Sequence, residues 1–201
     1  VKKKSSSRTA SQALSMSALA AKLERETPSV AIIVGKEDLL IREARDMVLS
    51  SAPGGRPDSD QIQTISPQSK PDDERLQDIF DDLRTPNLFG GVPVIVLEGA
   101  DRWLKSGTDA WVDFLQNPVK DSLLILISTQ LDGRSKLAKS LKSSGWWIGA
   151  DRPFHRPPPW KPESRPWDNP LNQWLVHRFR QQKLKVDAKV AQLAIDRMGP
   201  V

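Results

Sequence analysis

Two spacings of apolar residues alternate along this chain. Val30-Ala31-Ile32-Ile33-Val34 is an unbroken apolar run closed by Gly35, Leu123-Leu124-Ile125-Leu126 is a second, and residues 92–97 form a third that only Pro93 interrupts. Such runs belong to strands buried on both faces of a parallel sheet. Between them apolar residues recur at helical spacing over 38–50, where Leu39, Leu40, Ala44, Met47 and Val48 are placed to cover the sheet, and over 72–83, 108–116 and 135–143. Residues 15–26 are rich in helix formers and stop at Thr27-Pro28, residues 61–65 alternate as a short strand does, and Trp146-Trp147-Ile148 reads as a last short strand. Strands and helices alternating in this way predict an α/β domain, a parallel sheet with helices on both faces, ending near Ala150.

A different pattern follows. Residues 151–170 hold Pro153, Pro157, Pro158, Pro159, Pro162, Pro166 and Pro170 together with Trp160 and Trp167. That stretch is too constrained for a helix and too polar for a core, and it reads as a linker or an extended insertion. Two helices then appear, 171–182 with Trp174, Leu175 and Phe179 inward, and 187–198 with Val190, Leu193 and Ala194 inward and Asp187 as N-cap. Two helices cannot bury both apolar faces alone, so the expectation is the start of a truncated small helical domain. The expected organisation is a basic tail and leading helix over 1–27, an α/β domain over 28–150, the proline-rich segment over 151–170 and the helical start over 171–201.

Charge changes this picture at one end only. The net charge of +5 hides a balance of 20 basic and 20 acidic side chains over 1–150 and an excess of ten over five beyond. The basic end is either a solvated surface or a contact for phosphate backbones. Cysteine is absent, which removes disulfides, thiolate metal sites and cysteine nucleophiles from this chain and fits a reducing cytoplasm. His155 and His177 show no spacing that suggests a metal centre or a triad and read as surface residues. No apolar run reaches membrane-spanning length, and Lys2-Lys3-Lys4 lacks the apolar stretch of a secretory signal.

A parallel sheet with Gly35-Lys36 after its first strand raises nucleotide binding, and the residues argue against it. A phosphate-cradling loop needs several glycines and a hydroxyl after its lysine. Here one glycine is followed by Lys36, Glu37 and Asp38, and adjacent carboxylates repel a triphosphate. Asp101, beyond the third strand, has no evident partner for holding magnesium. The acids of 72–82 read as the solvated face and favourable N-terminal charge of a helix. No catalytic residue, metal ligand or cofactor site stands out. Only Trp160-Lys161 and Arg165-Pro166-Trp167 interleave aromatic and basic residues as single-strand binders do, and packing of the proline-rich segment explains them as well.

One motif remains. The helix over 72–83 runs into Thr85-Pro86-Asn87-Leu88-Phe89-Gly90-Gly91, then directly into a buried strand. Leu88 and Phe89 on a Pro/Gly-flanked turn are either a plug in the domain core or an anchor presented to a partner.

Taken in order, the segments 30–44, 85–91 with its strand, Asn117-Pro118 before 123–126, 136–141 and 184–199 resemble the delta subunit of bacterial DNA polymerase III, over about residues 28 to 199. The resemblance implies a RecA-like, AAA+-like α/β domain without a working ATP site, followed by a small helical domain and a collar domain. It implies that Leu88 and Phe89 enter a hydrophobic pocket of the sliding clamp (the beta subunit), with Thr85, Pro86, Gly90 and Gly91 shaping the turn that presents them. It further implies gamma/tau and delta prime loader subunits and primer-template DNA as partners, no membrane, a cytoplasmic location, and no catalysis by this chain itself although the family serves a DNA-directed DNA polymerase. The chain departs from the family in its long, tryptophan-rich 151–170 segment and in lacking the collar. The competing expectations are an active AAA+ ATPase and a nucleic-acid-binding module built on the basic end.

Overall fold

The computed structural model describes residues 13–66, 68, 71–86, 91–156 and 163–198. Contacts divide the chain into two compact units, Val1–Asp151 and Arg152–Val201.

In the first unit, among the described residues, five parallel strands form one sheet in the order β2-β3-β4-β1-β5. They are β1 (Val30–Val34), β2 (Ile62–Ile65), β3 (Val94–Glu98), β4 (Leu123–Ser128) and β5 (Trp147–Gly149). The apolar runs predicted as doubly buried strands take the central positions. Leu123 to Leu126, Ala31 to Ile33 and Leu97 are fully excluded from water, because each strand of a parallel sheet is covered on both faces. On one face α3 (Asp73–Arg84), the short α4 (Ala100–Trp103), α5 (Thr108–Gln116) and α6 (Lys136–Ser143) close a core around Ile32, Ile95, Leu97, Leu124 and Leu126. On the other, α1 (Met16–Leu23) packs on α2 (Asp38–Ser50), which contacts β1.

Helix boundaries follow local chemistry. Ser15, Asp72 and Ser135 cap α1, α3 and α6 by accepting from Ala18, Arg75 and Ala138 N–H groups. Before α1, Leu14 bridges to Ile148 and covers the outer edge of β5. Trp146 and Trp147 face opposite ways, as adjacent strand residues must: Lys22 of α1 lies over the first ring at 4.0 Å and Lys142 of α6 over the second at 5.0 Å.

The second unit holds α7 (Pro170–Gln181) and α8 (Ala188–Met198). Two expectations are corrected here. Val190 and Leu193 were expected inward but are 54% and 52% exposed, while Ala191, Gln192 and Ile195 are buried. The reason is polar. Asn169 Nδ2 donates to Gln192 Oε1 at 2.8 Å, and Asn172 Nδ2 donates to the Ala188 carbonyl at 2.8 Å and to Gln192 Oε1 at 3.3 Å. This amide network turns the Gln192 face of α8 inward, and Asn169, expected in a stretch too polar for a core, is completely buried. In the first unit Leu39, expected to cover the sheet, is 40% exposed, and Leu49 is buried on α2 beside Leu40, Ala44 and Val48. The short helix α4 was not expected.

Candidate functional site

Helix α3 buries Leu76, Ile79, Phe80 and Leu83, an i, i+3, i+4, i+7 stripe, and exposes its acidic face. Phe80 is the anchor. Its ring stacks on Phe114 with centroids 4.4 Å apart and meets Trp111 edge-on at 5.1 Å. Trp111 is fixed in turn, since its Nε1 donates to the Trp103 carbonyl at 2.8 Å. At the other end of the helix Gly107, at φ +62°, lies so close that a Cβ there would come within 2.6 Å of a Leu76 methyl carbon.

The exit of α3 is equally defined. Thr85 N–H donates to the Asp81 and Asp82 carbonyls at 2.9 and 3.3 Å, its hydroxyl donates to Asp81 O at 2.8 Å, and the Arg84 guanidinium pairs with the Asp81 carboxylate at 2.9 Å. Leu83 is the last buried residue; Arg84, Thr85 and Pro86 are exposed. Leu88 and Phe89, with Asn87 and Gly90, lie outside the described residues. The chain is described again at Gly91, exposed and at φ +84°, a conformation that favours glycine. Pro93 O then accepts from Leu123 N at 2.9 Å, so pairing with β4 begins one residue before β3 proper. Of the expected turn residues, Thr85, Pro86 and Gly91 therefore sit at the surface on either side of the Leu-Phe pair.

The turn after β1, where a phosphate loop would lie, is filled by the chain itself. Ala150 N–H donates to Val34 O at 2.8 Å, and Glu37 N–H, at the entrance to α2, donates to Ala150 O at 3.1 Å. A Cβ on Gly35 would lie 2.2 Å from the Ala150 carbonyl carbon and oxygen. An N–H that would face an anion at a helix start is thus satisfied by a carbonyl. Asp101 is committed to structure as well. Its carboxylate accepts from Ser128 Oγ at 2.8 Å, Gln130 N at 3.0 Å, Thr129 N at 3.1 Å and Thr129 Oγ1 at 3.2 Å, tying the first turn of α4 to the end of β4. Burial pushes this carboxyl up, but the Gln130 and Thr129 N–H groups and the two hydroxyls outweigh it and hold its pKa below the ordinary 3.8. Sequence reasoning saw Asp101 only as a metal-site acid lacking a partner; the hydroxyl pair Ser128-Thr129 at the end of β4 was the available signal. Among the described residues no three His, Cys, Asp or Glu side chains come together as a metal site, and no helix is long and apolar enough to cross a membrane.

Residues 32–151 match the sequence model of the family described as DNA polymerase III, delta subunit. The chain belongs to this family. Among solved structures it is similar to the Bacillus subtilis DNA clamp loader delta protein YqeN, at 16% identity and a TM-score of 0.65, over 88% of this chain and 50% of that one. At such identity the likeness is one of fold, and it agrees with the expected α/β sheet and following helices. The chain spans about half the length of the B. subtilis protein. A DNA polymerase III gamma-subunit-related protein of Thermotoga maritima aligns with a TM-score of 0.47 at 14% identity, over 90% of this chain and 57% of that one. No curated protein matches.

Proposed function

We propose that this chain is the clamp-docking part of a delta-type clamp-loader subunit, and that Leu88 and Phe89 anchor it in an apolar pocket of the sliding clamp. The observation that carries this reading is the exit of α3. The helix is held through Phe80 and Leu83, and the chain leaves it through exposed Thr85 and Pro86 and returns through exposed Gly91. Four residues bracketed by surface positions on a fixed base suit a presented anchor better than a core plug. Burying a leucine and a phenylalanine in a partner contributes about 1.5–3 kcal/mol each, enough to dominate an otherwise polar contact. Ring opening follows if this surface fits the open clamp better than the closed one, since a partner shifts an equilibrium only by its differential affinity.

On this reading the subunit works in the cytoplasm with the other loader subunits and primer-template DNA. It contributes binding, not catalysis. The Ala150 carbonyl on Glu37 N–H disfavours the ATPase alternative. Titrating the chain against the sliding clamp of the same organism, wild type beside L88A/F89A, tests the proposal once thermal melting shows that both are folded. Saturable binding that the double variant loses by at least about 100-fold, corresponding to some 3 kcal/mol, is expected. Equal binding by the two proteins, or none by the folded wild type, overturns it.

A further inference from the structure

The unit Arg152–Val201 contains ten basic and four acidic side chains, an excess larger than the net charge of the whole chain. The cations gather where α7 turns into α8. Arg180 lies in the last turn of α7. Lys183 follows in the left-handed region at φ +60°, its N–H donating to Arg180 O at 2.9 Å, while Leu184 N–H donates to Phe179 O at 2.8 Å and folds the chain back. Lys185 comes next, and Lys189 occupies the first turn of α8, where Asp187 accepts from Lys189 and Val190 N–H groups at 2.8 and 2.9 Å. All four basic side chains are exposed, and among the described residues none of them forms an ion pair.

Folding rewards two of these placements. Arg180 complements the negative end of α7 and Lys189 lies over the Trp167 ring, but Lys185 opposes the positive end of α8. Lys183 holds a conformation that glycine or asparagine adopts with less strain. Four exposed cations on one turn, with Lys183 and Lys185 placed against local stability, indicate a ligand of opposite sign. We propose that the α7–α8 turn is a contact for the phosphate backbone of duplex DNA, made by Arg180, Lys183, Lys185 and Lys189.

Three of the four cations are lysines, compact point charges with rotatable donors that can follow a repeating row of phosphates without a fixed geometry. Base stacking is not the mode. The nearby Trp167 ring is already occupied by Arg165 at 5.9 Å and Lys189 at 5.4 Å, and that contact holds Lys189 in the patch.

The test is binding of the full 201-residue chain to a short fluorescent DNA duplex at several salt concentrations, followed by anisotropy. Four phosphate contacts make the wild-type affinity fall about 150-fold between roughly 50 and 200 mM salt. R180Q/K183Q/K185Q/K189Q should lose that salt dependence and most of the affinity. K183G relieves the left-handed strain, so it should fold at least as well and still bind several-fold more weakly. The basic residues Lys2, Lys3, Lys4 and Arg8 of the tail provide the control. If K2Q/K3Q/K4Q/R8Q abolishes binding while the turn variant retains it, the proposal is overturned. It is also overturned if the turn variants bind as the wild type does, or if polyglutamate competes as well as DNA, which would make the surface a dock for an acidic protein. L88A/F89A should bind the duplex unchanged, so this result and the clamp titration fail independently.

Discussion

Replacing Gly35 with alanine puts a methyl group 2.2 Å from the carbonyl carbon and oxygen of Ala150 and 2.7 Å from Asp151 N. These are backbone atoms, which cannot swing aside as a side-chain end does. The exit of β5 has to move, and two hydrogen bonds go with it, Ala150 N–H to Val34 O and Glu37 N–H to Ala150 O. Each contributes about 1 kcal/mol net, and overpacking a filled position costs about 1–3 kcal/mol. The expected loss is therefore about 3–5 kcal/mol, against the roughly 5–15 kcal/mol of total stability usual for a folded domain. Urea unfolding followed by tryptophan fluorescence measures it, with the slope of the transition checked for constancy. Gly133→Ala is the internal comparison. The Cβ there meets only the Lys142 side chain, its ammonium at 2.9 Å and its Cε at 3.9 Å, the far end of a long side chain, and the change should stay within about 0.5 kcal/mol. A Gly35→Ala loss under about 1 kcal/mol would refute the argument that the β1–α2 turn is closed by the chain itself.

Asp101→Asn should destabilise the first unit by about 1–3 kcal/mol at neutral pH, because the replacement keeps one acceptor oxygen and loses the charge from a site with four donors. The folded pKa is lowered, so the ionised group stabilises the fold fully above the unfolded value near 3.8. The gap between wild type and variant should persist from neutral pH to that value and close as the pH falls further through the folded one; a gap that closes above pH 5 contradicts the assignment. In the second unit, Asn172→Ala leaves the Ala188 carbonyl and the Gln192 amide short of a buried donor, a loss of about 1–3 kcal/mol. Hydrogen exchange should quicken along α8 while the amides of β4 keep their protection.

The sheet was legible because its central strands are nearly pure aliphatic runs, and a parallel sheet covered on both faces demands that composition. Helix starts were legible from Ser15, Asp72 and Ser135, whose side chains do what their chemistry favours. The second unit resisted. Hydropathy puts Val190 and Leu193 inside and Gln192 outside, whereas partners brought by Asn169 and Asn172 reverse the choice, and no pattern within α8 reports on residues some twenty positions upstream. Helix α4 was missed because a single turn carries no periodicity; it starts at Gly99, whose φ of +65° bends the chain off β3. Half of the candidate site was legible in the same sense. The capped amphipathic helix, its exit at Thr85-Pro86 and the glycine at 91 follow from residue type, while the role of Leu88 and Phe89 rests on what a partner offers them.

The stacking of Phe80 on Phe114, with Trp111 braced against Trp103, has a mechanical consequence. A helix held only by its ends would bend when its exit is pulled, and the work would be dissipated in the hinge. Helix α3 is bolted at its middle to α5 and, through the Trp103 carbonyl, to α4 at the end of β3. A force arriving at Thr85 is therefore carried into the sheet as torque on the whole α/β body. The unit behaves as a stiff lever whose load point is the end of α3.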